Sequence, residues 1–489
     1  MICNQQQFNQ LINVANEISY INPILLLDQN NINLLASSIS NNNYFYKFKF
    51  NFNYSSDFII KNNLLKDIDV TSYKDNAFDI NPKPLKETLK NSKSLRIFSF
   101  KDDFIRDYTY KHIIYPYNRI IGNILTNQFI NQIHLSLSID ENSYYNDIYK
   151  SLLLHDNLID IKISFNISKY NNIMNTLIKS LRHNYFIKNL SLTGYINLDD
   201  IIKLINQNKY LETIKLTFYN IVNETDLAKL FNSMDDLEYL QSVKISNYHS
   251  YSINFVNFDK FLDLHKNLTV LSITGYNITN IDYIINLIIR SQIEKLSLIQ
   301  IVSLKMKHII RLLLLNNNIT DLNVSYCDSL KGYLSELFNL LKNNNSITKL
   351  NIENIPINLS ELKSLCDMIL TNKNLIKLNI NNCFNNEIDL IKFMNTLQKN
   401  NTLLEIKTCI YNIMSYNNFI TSLCNLIQKN NTLTHLSLDN KNDILTYYNK
   451  IRLTQKQVNK IFQSINKNSS IININWTELF IAEKIYLTI

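Results

Sequence analysis

The fold of this chain is decided by residues 347–380, which read ITKLNIENIPINLSELKSLCDMILTNKNLIKLNI. The stretch opens on an apolar-x-x-apolar-x-apolar pattern at Ile347, Leu350 and Ile352, and a second copy of the pattern closes it. The last two apolar residues of each copy alternate with polar ones, which predicts a short strand with one buried face. Between the copies, the apolar residues of 362–369 recur at helical spacing, which predicts a one-sided helix.

The same pattern recurs along most of the chain at steps of 24 to 30 residues. Its copies begin at Ile130, Leu158, Ile187, Leu211, Leu240, Leu268, Ile293, Ile319, Ile347, Leu375, Leu403 and Leu433, and a last copy begins at Ile471. The helical stripe also repeats, at Leu227-Leu230-Phe231-Met234, Leu334-Leu337-Phe338-Leu341, Leu362-Leu365-Cys366-Ile369, Leu390-Phe393-Met394-Leu397 and Ile420-Leu423-Cys424-Ile427. One such unit cannot bury its own apolar face, so many units are expected to stack.

In period, strand pattern and helix pattern, residues 130–489 resemble leucine-rich repeats of the ribonuclease-inhibitor-like subclass. The resemblance implies an α/β solenoid shaped as a horseshoe, with a parallel sheet on the concave face and helices on the convex face. It also implies that an Asn or Cys after each strand turns inward and bonds to the loop backbone. Asn166, Cys327 and Cys383 occupy that place.

Tyrosine replaces this inward residue in several repeats. The tyrosines are Tyr195, Tyr219, Tyr248, Tyr276 and Tyr411. Two interpretations are open: an exposed aromatic strip for recognition, or loop core in which each hydroxyl is satisfied locally. The inward direction of the position favours packed loop core.

The chain is expected to divide into three segments. Residues 1–42 are interpreted as an N-terminal helical cap, and residues 43–126 as degenerate or irregular repeats. Residues 127–489 are interpreted as the repeat array, with an insertion loop near 441–452 that lengthens the final spacing.

Composition excludes several function classes. With 4 Gly and 5 Pro in 489 residues, the chain has no glycine-rich phosphate cradle, which excludes the nucleotide-binding immune sensors. A net charge of +8 without a dense Lys/Arg run argues against nucleic acid. No apolar run is long enough to span a bilayer and no signal peptide is recognisable, so we expect no membrane association and a cytoplasmic location, with the nucleus left open.

No catalytic or metal-binding motif is present. The 6 Cys include no C-x-x-C, and the 8 His include no H-E-x-x-H. We therefore expect no enzyme activity, no catalytic residue, no metal and no cofactor. A protein-interaction scaffold is the leading hypothesis.

Lysines stand at the outward positions of the predicted strands. They are Lys162, Lys215, Lys244, Lys295, Lys349, Lys377 and Lys407. Because neighbouring strands lie about 4.8 Å apart, these side chains predict a positive stripe on the concave face. That stripe is our candidate binding site for an acidic protein partner. The alternative is a solvated face that only keeps the sheet soluble.

Two other functions remain open. Residues 16–39 resemble an F-box, through Glu17 and then Ile24 to Asp28, although Asn16 stands where a Pro is expected. This resemblance implies an adaptor that links substrates to a ubiquitin ligase through a Skp1-type protein. Some leucine-rich repeat proteins activate small GTPases through an N-terminal arginine, and Arg96, Arg106 and Arg119 are candidates by location only.

Overall fold

A computed structural model describes most of the repeat region and a few segments before it. The described residues are 20–21, 47–51, 67–72, 93, 95–102, 121–122, 124–137, 145–165, 171–409, 416–438, 454–471 and 473–475. They fall into two compact units, a first unit within 1–248 and a second within 249–489.

The first unit alternates strands and helices. Its elements are β1 (Tyr20–Ile21), β2 (Lys47–Asn51), β3 (Asp67–Ser72), β4 (Ile97–Asp102), β5 (Gln132–Leu137), α1 (Tyr145–Leu153), β6 (Asp160–Phe165), α2 (Asn171–Leu181), β7 (Asn189–Gly194), α3 (Leu198–Gln207), β8 (Thr213–Phe218), α4 (Glu224–Ser233) and the start of β9 (Ser242–Ile253). Consecutive strands pair in parallel, and the register places Ile161, Leu190, Ile214 and Val243 side by side.

The second unit repeats this plan with shorter strands. Its elements are α5 (Phe258–Leu264), β10 (Val270–Ile278), α6 (Ile281–Ile289), β11 (Lys295–Ile299), α7 (Met306–Leu315), β12 (Asp321–Asn323), a 3₁₀ turn (Asp328–Leu330), α8 (Leu334–Leu341), β13 (Lys349–Asn351), α9 (Leu359–Thr371), β14 (Lys377–Asn379), α10 (Glu387–Leu397), β15 (Glu405–Lys407), α11 (Tyr416–Lys429), β16 (His435–Ser437), α12 (Gln455–Ile465) and β17 (Asn473–Asn475). Its strands also pair in parallel in chain order.

The core of each unit lies between one face of its sheet and the helices. The predicted helical stripes point into this core, since Leu334, Leu337, Phe338 and Leu341 are all buried. The inward strand residues meet them, and Leu350 is 2% exposed. The predicted stacking of strand–helix units is thereby confirmed for the described residues. Among the described residues, the opposite face of each sheet carries no helix, and it is called the exposed sheet face below.

The inward cysteines predicted after the strands are also confirmed. Cys327 is buried, its Sγ donates to the Leu298 carbonyl at 3.1 Å and accepts from the Ile301 N–H at 3.4 Å. Burial raises the pKa of the Cys327 thiol to about 11. Cys383 is equally buried and donates to the Ile352 carbonyl at 3.2 Å. Both thiols are therefore structural hydrogen-bonding groups.

In the second unit, a row of asparagines lies at the N-terminal end of the strands. We call it the asparagine ladder, and the sequence analysis missed it. Its members each stand three residues before the first apolar residue of a repeat: Asn316, Asn344, Asn372, Asn400, Asn430 and Asn468. In Asn372, Oδ1 accepts from the backbone N–H groups of Asn374 and Leu375, at 2.8 and 2.7 Å. Its Nδ2 donates to the Leu341 and Asn344 carbonyls of the preceding repeat, at 2.6 and 3.2 Å. The ladder thus joins neighbouring repeats through buried backbone groups.

In the first unit, His155 holds the corresponding position before Leu158. It is fully buried, and its Nε2 donates to the Leu125 carbonyl. Burial lowers the pKa of His155 below its ordinary value, against smaller raising effects from its hydrogen bonds and from Asp156. The folded protein therefore favours neutral imidazole here.

Acid is expected to weaken the fold through this histidine. The unfolded chain takes up a proton below about pH 6.5, whereas folded His155 resists protonation, so stability is kept above that pH and lost as the pH falls further. Urea midpoints should drop between about pH 7.5 and about pH 5.5. The variant His155→Asn, which restores the ladder residue, should drop less. It should not become pH-independent, because burial also lowers the pKa of His308. Identical drops in both proteins would contradict this assignment.

Parts of the predicted domain organisation lie outside the described residues. Apart from Tyr20–Ile21, this holds for the cap at 1–42 and its F-box-like segment, so the adaptor hypothesis stays a prediction. The insertion loop near 441–452, Asn166 and Tyr411 also lie outside. Within 43–126, β2 pairs with β3 and β3 with β4, and β4 pairs with β5, all in parallel.

Candidate functional site

The predicted lysines all lie on the exposed sheet faces. Two of them, Lys244 and Lys349, are half-buried. The other five are exposed: Lys162, Lys215, Lys295, Lys377 and Lys407. Those on β6, β8 and β9 belong to the first unit and the others to the second. The lysines of the first unit and those of the second unit differ in how their charge is compensated.

In the second unit, carboxylates on the same face neutralise three of the lysines. Lys349 Nζ lies 3.8 Å from Asp321 Oδ2, and Lys407 Nζ lies 3.6 Å from Glu405 Oε1. Lys377 donates to the other oxygen of Glu405. This hydrogen bond is the main reason that the pKa of Glu405 falls below its usual value.

Lys295 is a partial exception in the second unit. It forms no ion pair with a described residue, but it stands directly beside Asp321 in the strand register. The exposed sheet face of this unit is therefore a mixture of both charges.

In the first unit, Lys162, Lys215 and Lys244 form the lysine row. The register places Ser191 between Lys162 and Lys215, and sets Lys215 directly beside Lys244. None of the three forms an ion pair within the part of the chain that the structure describes. Burial, then the charges of Lys244 and Lys162, lowers the pKa of Lys215.

Neighbouring carboxylates in the first unit have other partners. Asp160 lies on the same strand as Lys162, but its Oδ1 is 3.5 Å from Nε2 of His134. Glu212, just before β8, accepts from Lys188 Nζ at 2.7 Å. The lysine row is thus a group of like charges whose nearby carboxylates are engaged elsewhere.

A row of hydroxyl groups runs beside the lysine row. Its members, two residues further along their strands than the lysine-row positions, are Ser136, Ser164, Thr193, Thr217 and Ser246. All are half-buried. We call this set the hydroxyl row. The sequence shows its members as outward strand residues, but their alignment depends on the register.

The prediction that the tyrosines turn inward is wrong for three of the four tyrosines that the structure describes. Tyr248 is 74% exposed, and Tyr195 and Tyr219 are half-buried. Their rings pack edge to face, with centroids 6.1 Å apart for Tyr195–Tyr219 and 5.5 Å for Tyr219–Tyr248. These three residues form the tyrosine row. Of the four predicted tyrosines that the structure describes, only Tyr276 is fully buried, as predicted.

Strand alternation explains the difference. Each residue of the tyrosine row stands two positions after Thr193, Thr217 or Ser246. It therefore continues the exposed face of its strand. In β10 the backbone of Gly275 has φ +76°, in the left-handed region that favours glycine. This changes the alternation, and Tyr276 turns inward.

A second aromatic row borders the opposite end of these strands. Phe186, Tyr210 and Tyr239 immediately precede the first apolar residue of their repeats and are about half exposed. Adjacent rings stack with centroids 6.1 Å apart and interplanar angles of 19° and 26°. In the second unit the same position holds Asn, Gln, Ser or Thr. Among the described residues, this second aromatic row is therefore confined to the first unit.

The structure places Arg96, a candidate GTPase-activating residue, in local contacts. Its Nη1 donates to the carbonyls of Lys93 and Leu95, and its guanidinium lies 5.6 Å from the Phe129 ring centroid. Arg106 and Arg119 are outside the described residues.

The described ranges contain no group of three His, Cys, Asp or Glu side chains that could hold a metal ion. Among the helices that the structure describes, none combines the length and apolarity that a bilayer crossing requires.

Comparisons with known proteins give fold-level likenesses at low identity. No family model matches the sequence, and no curated protein matches it. Among solved structures, the leucine-rich repeat-containing protein LegL7 from Legionella pneumophila is 14% identical, with a TM-score of 0.38 over 60% of this chain and 97% of that chain. A chain from the structure of the Rad7 and Elc1 complex in yeast is 12% identical, with a TM-score of 0.39 over 89% and 88%.

Both likenesses are too distant to carry an argument about function. The fold follows instead from the parallel strands, the helices between them and the inward cysteines. In its described residues each unit has the fold of a leucine-rich repeat solenoid, with parallel strands that alternate with helices.

Proposed function

We propose that this protein is a non-enzymatic interaction scaffold that binds an acidic protein partner on the exposed sheet face of its first unit. The observation that carries this proposal is the lysine row, Lys162, Lys215 and Lys244, which has no ion pair within the described residues. An acidic partner would relieve the repulsion among these side chains and supply the missing counter-charge.

The proposed binding surface includes fewer lysines than the stripe of seven predicted from sequence. Lys349, Lys377 and Lys407 already share Asp321 and Glu405. A partner would have to displace those carboxylates, so its gain there is smaller. We therefore assign these three lysines, and Lys295 beside Asp321, a secondary part in binding.

Two triple variants give a matched test with labelled poly-L-glutamate as the probe. Changing Lys162, Lys215 and Lys244 to Ala should weaken binding roughly tenfold or more in fluorescence anisotropy. Changing Lys349, Lys377 and Lys407 to Ala removes the same charge but should weaken binding only about twofold. Both variants should melt like the parent, because the side chains are at the surface.

The salt dependence supplies a second readout. Affinity of the parent should fall as ionic strength rises, and the lysine-row variant should show a flatter dependence. Equal losses in the two triple variants would mean that net charge alone attracts the probe, which would contradict a site on the first unit.

A further inference from the structure

We propose that the acidic partner is recognised through a phosphorylated side chain, which binds between β8 and β9 on Lys215 and Lys244 together with Thr217 and Ser246. The inference rests on the proposed function and specifies the chemistry of the same face. It concerns four side chains in two directly paired positions of adjacent strands.

The two lysines favour a dianion over a single negative charge. Lys215 stands directly beside Lys244 in parallel register, at a strand separation of about 4.8 Å. Like charges in direct cross-strand positions repel one another. A phosphate ester carries about two negative charges near neutral pH, so one group can compensate both ammonium ions. A carboxylate compensates only one.

Two adjacent hydroxyl groups provide further hydrogen-bond donors for the phosphate oxygens. Thr217 lies directly beside Ser246, and both stand two residues, about 6.6 Å, beyond the lysines on the same face. Neither hydroxyl has a hydrogen-bond partner within the described residues. A phosphate ester offers three strong acceptor oxygens, which two lysines and two hydroxyl donors can fill.

The tyrosine row closes this site on one side. Tyr219 and Tyr248 follow Thr217 and Ser246 by two residues, and their rings pack edge to face at 5.5 Å. Burial and the neighbouring Tyr248 raise the pKa of Tyr219, so its hydroxyl stays protonated at neutral pH and can donate. The rings also offer apolar surface to the residues that flank a phosphorylated side chain.

The same geometry disfavours single-stranded nucleic acid. Such ligands stack their bases on exposed aromatic faces. In the tyrosine row the interplanar angles are 81° and 65°, so each ring turns an edge to its neighbour and leaves no series of parallel platforms. Lys162, two strands from Lys215, can instead contact a second acidic group of a peptide.

The test uses full-length protein and three labelled peptides that share one Gly/Ser sequence. Their central residue is phosphoserine, Glu or Ser. We expect the phosphoserine peptide to bind about tenfold more tightly than the Glu peptide. Lys215→Ala and Lys244→Ala should each reduce its binding roughly tenfold, and Thr217→Val a few-fold. The control Tyr210→Ser should leave binding unchanged, and Lys377→Ala should weaken it at most about twofold.

Three other results would contradict this inference, and a fourth would contradict the proposed function. If the Glu peptide binds as tightly as the phosphoserine peptide, phosphate recognition is wrong, while lysine-row-dependent binding of poly-L-glutamate would leave the proposed function standing. If Lys377→Ala weakens the phosphoserine peptide as much as Lys215→Ala, the site is misplaced. If labelled oligothymidylate binds more tightly than the phosphoserine peptide, the face recognises nucleic acid. If substitution of the lysine row does not weaken the binding of poly-L-glutamate, the proposed function is wrong.

Discussion

Replacing Leu350 by Asp is expected to abolish the cooperative unfolding transition of the second unit. Leu350 is 2% exposed and lies between Leu322 and Leu378 in the strand register. The change removes an apolar side chain from the core and puts a carboxyl group between Leu322 and Leu378, where burial of a charge is costly. Core truncation alone costs about 2–5 kcal/mol, so we expect a loss of about 4 kcal/mol or more.

Thermal and urea melts followed by circular dichroism measure this loss. Asn343→Asp is the control, since it adds the same charge at an exposed position of the same repeat, and it should change the midpoint little. Leu350→Met keeps the volume and should cost less than about 1.5 kcal/mol. If Leu350→Asp melts like Asn343→Asp, the repeat register is wrong.

Replacing Asn430 by Ala is expected to destabilise the second unit by about 3 kcal/mol. Asn430 is 2% exposed. Its Nδ2 donates to the Leu397 and Asn400 carbonyls at 2.7 and 3.0 Å. Its Oδ1 accepts from the N–H groups of Thr432 and Leu433 at 3.0 and 2.7 Å. Alanine leaves these buried backbone groups without the side chain that satisfies them, at about 1–3 kcal/mol for each group that finds no substitute.

The adjacent residue supplies the control for Asn430. Asn431 is exposed, so Asn431→Ala should change the urea midpoint by less than about 0.5 kcal/mol. Asn430→Asp retains the acceptor oxygens but replaces a donor by a carboxylate that faces two carbonyls, so it should be as damaging as Asn430→Ala. Equal stabilities of the Asn430→Ala and Asn431→Ala proteins would show that the ladder does not bear on stability.

The fold was predictable because period, strand pattern and helix pattern agree. Alternating apolar residues define which face of a strand is buried, and helical spacing does the same for each helix. The inward Cys327 and Cys383 followed from the resemblance. The asparagine ladder was visible in principle, since Asn372 and Asn400 stand at a fixed distance from Leu375 and Leu403. It was missed because Asn is abundant throughout the chain.

The site was less predictable because it depends on the strand register. The sequence marks Lys215, Lys244, Lys377 and Glu405 as outward residues, but only the register shows that Lys377 meets Glu405 while Lys215 meets Lys244. The predicted inward direction of the tyrosine row was wrong for a local reason. An inward turn after the strand was assumed for every repeat, whereas strand alternation continues through Tyr195, Tyr219 and Tyr248.

A lysine acetylation footprint tests the proposed binding face most directly. The full-length protein is acetylated with and without bound poly-L-glutamate, and the modification of each lysine is measured by mass spectrometry. We predict that the probe protects Lys162, Lys215 and Lys244, whereas Lys349, Lys377 and Lys407 keep most of their reactivity. Protection confined to the second unit, or spread evenly over the surface lysines, would contradict a binding face on the first unit.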